Sequence, residues 1–352
     1  MASPVSLLGK SFLTLESVSE NEILHLLDLA DRLKRERRKG RVGCRLDRRI
    51  IGLVFEKPST RTRCAATVAA VDEGGSAEYF DAGDIHLGRK ESVADTARVL
   101  GRMLDGILFR GYRQEMVEEL DRHAGIPVWN GLTDTSHPTQ ILADLMTVRE
   151  AFGRLRGLKI AYVGDGRNNV AHSLMIGCAK LGIHIVNCTP RALFPRPELM
   201  EQVKDYARAG GGTVVVSPDP DEAVRGANVV YTDVWVSMGE EKRFAERVAL
   251  LKPYRVDMAM MRRTGNIQSG RAIFLHCLPA FHDANTAVTK SCGALEVTDD
   301  VFEAPFSRVF DQAENKVHTL KALMVASLGP GRRHGAGGRA GRVTARGGSH
   351  GR

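Results

Sequence analysis

The chain has 352 residues, which is too long for one ordinary hydrophobic core and suits two domains of roughly 150 residues each. Hydrophobic residues make up 43% and charged residues 26% of the sequence, so a chain that is disordered throughout is excluded. No apolar run approaches the ~20 residues that span a bilayer, and the first ten residues lack the pattern of a signal or transit peptide, so we expect a globular cytoplasmic protein.

The net charge of +8 comes mostly from the last 22 residues, 331–352. This segment holds six arginines, eight glycines and no acid, so the other 330 residues carry only +2. It has no apolar periodicity, and we predict a disordered, solvated Arg/Gly-rich tail. The alternative is a weak contact of the tail with RNA or a membrane, although nucleic acid is not the partner we expect.

The six cysteines form no CxxC pair, which favours free thiols in a reducing compartment over a disulfide framework. No cluster of His, Cys, Asp and Glu has the sequence spacing of a metal site. We therefore expect neither a metal nor another cofactor.

The first predicted helix begins with a capping box, in which Glu22 follows Ser19 by three residues. A basic run at 34–39 ends at Gly40, which is typical of a helix C-terminus. The apolar residues that fall on one face of this helix are Ile23, Leu26, Leu27, Ala30 and Leu33.

Short apolar strands then alternate with helical segments, which predicts α/β architecture: two doubly wound domains, each with a mainly parallel sheet flanked by helices. The break between the domains is predicted near residues 152–154. The predicted strands are 50–55, 77–80, 106–110, 127–129, 159–163, 184–188, 213–217, 229–234 and 273–277. The predicted helices include 62–71, 92–103, 115–123, one from about 138, 169–181 and 311–328.

The segment FEKPSTRTR (55–63) leaves the first predicted strand and opens a helix with three hydroxyl groups and two arginines. In open α/β sheets, ligands bind at the carboxyl ends of strands, next to helix N-termini. The hydroxyl groups alone would predict only a helix cap, but Arg61 and Arg63 in the first turn oppose the helix macrodipole. A bound oxyanion makes that placement favourable, because free N–H groups and guanidinium forks converge on it. We therefore predict a phosphate or carboxylate site here.

Two more strand ends carry polar side chains. Arg110 ends the third predicted strand, where it is either a solvated charge at the sheet edge or a second clamp beside Arg61. After the fourth strand, His137 precedes Pro138, a residue that can open a helix at its first position. His137 is either a cap or a packed ring, or it joins Gln140 in offering neutral hydrogen bonds to a small polar group.

The second half of the chain has weaker signals. GDGRNN (164–169) resembles a dinucleotide-binding loop only in part, because Asn169 stands where the third glycine belongs and no acid ends the next strand. We therefore do not expect NAD. DVWVSMG (233–239) and HCLPA (276–280) also follow predicted strands, and Cys277 is either a buried thiol or a functional group at a strand end.

Together these segments resemble the ornithine carbamoyltransferases. The resemblance runs in the family's order from about residue 10 to 328, and only the tail lies outside it. It implies a carbamoyl-phosphate-binding domain, 1–150, joined by the C-terminal helix 311–328, and an ornithine-binding domain, 151–310. It also implies a homotrimer, or a multiple of trimers, with shared active sites. The matching segments are FEKPSTRTR, DIHLG (84–88), FRG (109–111), HPTQ (137–140), GDGRNN, DVWVSMG, HCLPAFH (276–282) and FDQAENKVHT (310–319).

The resemblance further implies a set of site residues. His86 would reach the phosphate in a neighbouring subunit, and Lys316 stands where the family pattern has arginine, which keeps the charge but loses the planar fork. The residues implied for catalysis are Arg61, Arg110, His137, Asp233 and Cys277. Those implied for carbamoyl phosphate are Ser59, Thr60, Arg61, Thr62, His86, Arg110, His137, Gln140, Cys277, Leu278 and Lys316. Those implied for ornithine are Asn168, Asp233, Ser237 and Met238.

The implied reaction is attack of the ornithine side-chain amine on the carbamoyl carbon of carbamoyl phosphate, which gives citrulline and phosphate. The reaction belongs to arginine metabolism, either in amino-acid biosynthesis or in catabolism. The amine must be neutral to attack, and desolvation on domain closure would favour its neutral form. The leaving phosphate can take the proton, so we assign no general base and expect no covalent intermediate on Cys277. The alternative is carbamoyl transfer to another amine, such as putrescine.

Overall fold

The computed structural model describes residues 5–41, 43–81, 83, 87–88, 90–236 and 241–329. Two sheets form its framework, and all of their strand pairs are parallel. The first has the order β2-β1-β3-β4 and the second β7-β6-β5-β8-β9. The strands are β1 Ile50–Phe55, β2 Ser76–Asp81, β3 Gly106–Arg110, β4 Val128–Leu132, β5 Lys159–Val163, β6 His184–Cys188, β7 Thr213–Ser217, β8 Val229–Thr232 and β9 Ile273–His276.

Helices flank both sheets, which confirms the predicted fold class. The first six are α1 Glu20–Arg38, α2 Thr60–Val71, α3 Val93–Met103, α4 Gln114–Ala124, α5 Pro138–Phe152 and α6 Asn169–Lys180. The other six are α7 Pro197–Gly210, α8 Pro220–Val224, α9 Phe244–Leu251, α10 Met258–Arg263, α11 Asp299–Phe302 and α12 Val309–Leu328. Short 3-10 helices lie at Arg191–Leu193, Glu241–Arg243 and Lys252–Tyr254. Among the described residues, no helix has both the length and the apolar composition to cross a membrane.

The central strands β1 and β3 are buried along almost their whole length, because helices cover both of their faces. All five residues of β3 are buried, and so are the last five residues of β1. A half-exposed strand would instead alternate between apolar and polar residues. Continuous apolar runs are therefore the sequence signal that predicted these strands.

The capping box predicted at the start of α1 is confirmed. The Ser19 hydroxyl accepts from the Glu22 N–H at 3.2 Å, and the Glu22 carboxylate accepts from the Ser19 N–H at 2.8 Å. Three arginines in the last turn complement the negative end of the helix dipole. Both ends of α1 thus follow from local sequence.

The last helix, α12, returns to the helices of the first half of the chain. It begins at Val309, two residues earlier than predicted, and packs along α1, α2 and α5. Two buried lysines fix these contacts: Lys34 of α1 donates to Asn315 at 2.6 Å, and Lys321 pairs with Asp72 at 2.7 Å. This packing supports the predicted union of the C-terminal helix with the first domain. The domain limits at 150 and 310 stay a prediction.

Four strands end elsewhere than predicted. Strand β2 runs on to Asp81, one residue past its predicted end, because Asp81 pairs with Phe55 of β1. Strand β4 runs on to Leu132 because Leu132 pairs with Arg110 of β3. Strand β8 stops at Thr232, after which the Asp233 carboxylate accepts from the neighbouring Val234 N–H at 2.8 Å. Strand β9 stops at His276, because Leu278 adopts a φ of +60° that no strand allows.

Candidate active site

A cavity of about 370 Å³ lies where the carboxyl ends of β1, β3, β8 and β9 meet the N-termini of α2, α5 and α6. It collects eleven of the residues predicted for the site: Ser59, Thr60, Arg61, Thr62, Arg110, His137, Gln140, Asp233, Cys277, Leu278 and Lys316. The other lining residues are Lys57, Pro58, Leu132, Asn169, Val170, Val234, Val236, Pro279 and Phe281. The cavity therefore lies at the strand ends to which the sequence rule pointed.

The N-terminus of α2 forms one wall of the cavity. Ser59 is its N-cap, and the Ser59 hydroxyl accepts from the Thr62 N–H at 3.3 Å. Arg61 lies in the first turn, which contains no acidic residue. Burial lowers the pKa of Arg61 from its ordinary value. A partly desolvated cation at the positive end of a helix is unfavourable alone and favourable beside an anion, as the sequence predicted.

Arg110 extends this positive wall from the end of β3. Its side chain is buried, which contradicts the interpretation as a solvated edge charge. Burial and the nearby Arg61 lower the pKa of Arg110 to about 10. The Nε atom of Arg110 has no hydrogen-bond partner among the described residues. Arg110 thus lines the cavity together with Arg61, and its role as a second clamp stays a prediction.

Lys316 enters the cavity from α12 and is buried. Its Nζ atom donates to the Thr62 hydroxyl at 3.0 Å and to the Gln140 side-chain oxygen at 3.1 Å. Burial, together with the positive charge of Arg110, lowers the pKa of Lys316 to about 7. The lysine therefore supplies a titratable positive charge at the position where the resemblance led us to expect an arginine.

His137 occupies the N-cap position of α5, but its side chain makes no capping hydrogen bond. Its backbone N–H donates to the Ser173 hydroxyl at 2.9 Å, and its ring is buried against the cavity. Burial and the charge of Lys316 hold the pKa of His137 well below its ordinary value, so the ring is neutral. The Nδ1 atom has no partner among the described residues. The predicted neutral hydrogen-bonding histidine fits this geometry better than a cap.

The opposite wall carries Asp233 and Cys277 at the ends of β8 and β9. The Cys277 thiol donates to the Asp233 carboxylate at 3.0 Å, and Asn168 donates to its other oxygen at 3.1 Å. Burial raises the pKa of Asp233 and of Cys277, the latter well above its ordinary value. Cys277 is thus a thiol rather than a thiolate, which disfavours a nucleophilic role.

Asp233, His276 and Cys277 bring three metal-ligand atoms within 4.8 Å of one another, a cluster that sequence spacing did not reveal. Its chemistry does not fit a metal site. The Nδ1 atom of His276 accepts from the Leu278 N–H at 2.9 Å, and its Nε2 atom faces Glu296 at 3.2 Å. Neither imidazole nitrogen has a free lone pair, and the thiol holds its proton.

Three site residues were missed by sequence analysis. Lys57 is buried, lines the cavity and pairs with Asp134 at 2.6 Å. Asn169 also lines the cavity. Asp144 accepts from Gln140 at 2.8 Å, and burial raises its pKa to about 7. Their signals were available: Lys57 and Asn169 lie inside quoted motifs, and Asp144 follows Gln140 by one helical turn.

Of the predicted site residues that the structure describes, Asn168 does not line this cavity. Asn168 caps α6 and lines a neighbouring cavity of about 660 Å³. It reaches the site through its bond to Asp233. His86, Ser237 and Met238 lie outside the described residues, as does the tail.

Comparison with known proteins agrees with this geometry. Residues 10–150 match the family model of the aspartate/ornithine carbamoyltransferase carbamoyl-P binding domain, and residues 156–327 match that of the Asp/Orn binding domain. A protein named "Ornithine carbamoyltransferase, catabolic" from Bacillus licheniformis is 53% identical over 335 residues, which cover 94% of this chain and 99% of that protein.

Two further relatives extend the similarity. An ornithine carbamoyltransferase from Streptococcus pyogenes is 52% identical over 91% of this chain and 96% of its own length. The solved structure of ornithine carbamoyltransferase from Pyrococcus furiosus superposes with a TM-score of 0.84 at 41% identity, covering 93% of this chain and 99% of that one. The chain therefore belongs to the aspartate/ornithine carbamoyltransferase family.

Proposed function

We propose that this chain is an ornithine carbamoyltransferase, which transfers the carbamoyl group of carbamoyl phosphate to the side-chain amine of L-ornithine. The products are L-citrulline and phosphate. One observation carries the proposal: Arg61, Arg110 and Lys316 converge on a single cavity whose described lining contains one acid, Asp233. Such an excess of partly desolvated positive charge suits a small dianion.

The phosphate end of carbamoyl phosphate lies in this proposal at the start of α2. Arg61 and Arg110 neutralise its charge, and Ser59, Thr60 and the free N–H groups of the first turn hold its oxygens. These donors also stabilise the charge that develops as the carbon–oxygen bond breaks. A preorganised donor of this kind contributes about 2.7–4 kcal/mol to a transition state.

The carbamoyl end faces Thr62, His137 and Gln140. The Thr62 hydroxyl accepts from Ser59 at 3.2 Å and from Lys316 at 3.0 Å, which leaves its own hydrogen for the carbamoyl oxygen. Gln140 is held on both sides, by Lys316 and by Asp144. Leu278 and Cys277 contribute the facing wall. We propose that this set orients and polarises the carbamoyl group.

The amino-acid acceptor lies on the side of Asp233 and Asn168, with Ser237 and Met238 as further proposed contacts. Asp233 and the Cys277 thiol, 3.0 Å apart, orient the reacting amine. Its ordinary pKa is near the lysine value of ~10.4, and burial between the domains favours the neutral, nucleophilic form. The leaving phosphate accepts the proton, so no side chain has to act as general base.

The direction of flux and the assembly state complete the proposal. The similarity to relatives named "catabolic", at 53% identity, favours arginine catabolism, in which the same reaction runs in reverse and consumes citrulline and phosphate. For the assembly we propose a homotrimer, or a multiple of it, in which His86 acts in the site of a neighbouring subunit.

The deciding experiment measures citrulline formation from carbamoyl phosphate with four acceptors offered separately. We expect turnover with L-ornithine and none with aspartate, putrescine or acetylornithine. Faster turnover with putrescine would show that putrescine, and not ornithine, is the acceptor, and it would leave the proposed carbamoyl-phosphate site unchanged. No product from any acceptor would contradict carbamoyl transfer itself.

A further inference from the structure

Behind the cavity wall lies a buried pair that takes no part in the proposed chemistry, His276 and Glu296. Both side chains are fully buried, and neither lines the cavity. The imidazole Nε2 lies 3.2 Å from Glu296 Oε1. Burying a carboxylate is costly unless hydrogen bonds compensate it, so a pair in this position calls for a function.

The pair is bonded to the backbone of the wall at two points. The Leu278 N–H donates to His276 Nδ1 at 2.9 Å, and the Phe281 N–H donates to Glu296 Oε1 at 2.7 Å. Because a backbone N–H can only donate, Nδ1 has to accept, and the ring is neutral with its hydrogen on Nε2. That hydrogen points to Glu296, which fixes the tautomer.

Between these two bonds the backbone takes an uncommon conformation. Leu278 has a φ of +60°, in the left-handed region that side-chain-bearing residues seldom adopt. Such a residue persists only where its surroundings hold it. Cys277, Leu278 and Phe281 all face the cavity, so this backbone sets the shape of the wall opposite Arg61.

We infer that His276 and Glu296 are positioning residues, which hold the backbone of residues 277–281 in its cavity-facing conformation through the Leu278 and Phe281 amides. They touch neither substrate in the proposed complex. The kinetic test of this inference rests on the proposed function. Its structural test, the protection of the Leu278 amide, depends on the backbone alone.

Two substitutions of His276 separate positioning from general stability. His276→Asn places an acceptor near the Nδ1 position but loses the bond to Glu296, whereas His276→Gln places a donor near Nε2 but offers Leu278 no acceptor. We expect His276→Gln to lower kcat/KM about 100-fold, because a small misplacement of groups that position the reactants costs about this factor. We expect His276→Asn to lower kcat/KM far less. We expect the opposite order for Tm, because the Asn variant leaves the buried Glu296 short of a donor.

Amide hydrogen exchange gives the readout that does not need turnover. In His276→Gln the Leu278 amide should lose protection, and in His276→Asn it should keep most of it. The inference would be wrong if kcat/KM and amide protection fell in the same order as Tm, or if the two variants behaved alike. His276 and Glu296 would then contribute to stability alone. Failure of the proposed function would instead show as an inactive wild-type protein with the exchange pattern unchanged.

The chain offers a matched control in His318, another buried histidine, whose Nε2 faces Glu314 at 3.3 Å away from the cavity. His318→Gln and His318→Asn should leave KM and kcat close to wild type.

Two variants of Glu296 keep the inference testable if the His276 variants do not fold. Glu296→Gln keeps an acceptor for both donors and should retain most activity, whereas Glu296→Leu should resemble His276→Gln. A folded Glu296→Leu protein with wild-type kinetics and protection would overturn the inference.

Discussion

The residues of the cavity change one another's protonation. Burial lowers the pKa of Arg61, and for Arg110 and Lys316 the repulsion of neighbouring positive charges adds to the cost of burial and lowers the pKa further. Burial, together with the same charges, lowers the pKa of His137 and keeps its ring neutral. An anionic ligand relieves the repulsion, so the residues that destabilise the cavity are those that would bind the substrate.

Replacing Arg61 with glutamine should reduce kcat/KM by at least about 100-fold, because a preorganised charged donor to the phosphate is lost. The measurement is citrulline formation, with circular dichroism to establish that the variant is folded. Arg63→Gln is the matched control: Arg63 lies two residues along α2, is exposed and stacks on Tyr79. Near-normal turnover in folded Arg61→Gln would remove Arg61 from the phosphate site.

Lys316 should make carbamoyl phosphate capture depend on pH. Its pKa of about 7 means that the free protein loses this positive charge as the pH rises above neutrality, whereas an arginine would keep it. We expect kcat/KM for carbamoyl phosphate, at saturating ornithine, to fall from pH 7 to pH 9 relative to that of Lys316→Arg. The ratio of the two profiles cancels the titration of ornithine itself. A constant ratio would contradict the predicted titration.

At the scale of elements, three helices begin at the cavity and use their first turns differently. The side chain of Ser59 caps α2 and that of Asn168 caps α6, whereas His137 begins α5 without a side-chain cap. Capping serves stability, and uncapped donors serve binding. The hydroxyl of Ser59 does both, because it also lines the cavity.

The two serine caps therefore form a test. Ser19→Ala and Ser59→Ala should each lower the free energy of unfolding by about 1 kcal/mol, since each removes an N-cap. Only Ser59→Ala should also raise the KM for carbamoyl phosphate. Urea unfolding and steady-state kinetics measure the two effects. An equal rise in KM for both variants would mean that the effect comes from stability and not from the site.

At the scale of the whole molecule, the cavity needs both sheets and the helix that returns between them. Arg61 and Arg110 follow strands of the first sheet, whereas Asp233 and Cys277 follow strands of the second. Lys316 arrives on α12, which packs mainly against the first domain. Relative movement of the two sheets would thus change the distance between the donor and acceptor ends of the site.

Subunit mixing tests the proposed assembly. If His86 acts in the neighbouring site, an inactive Arg61 variant and an inactive His86 variant should recover part of the activity when combined, because each mixed trimer then contains one intact site. Sedimentation establishes that mixed trimers have formed. Mixed trimers without recovered activity would contradict a shared site.

All nine predicted strands are present, because buried parallel strands leave a signal in continuous apolar runs that is local in sequence. The fold class and the proposed donor site at FEKPSTRTR follow from the same local rules. Strand ends were less well predicted, because the partner strand or the following turn fixes them, as at Leu132 and Leu278.

The sequence by itself determined the fold class, the strands and, through ordered motifs, the family. Only the tertiary structure decided which distant residues meet. Lys316 bonds Thr62 across 254 positions of the chain, and Glu296 supports a backbone turn 15 residues before it. The physical reason is that burial, repulsion and hydrogen bonding depend on distances in space, which α12 and the two sheets create only when the chain has folded.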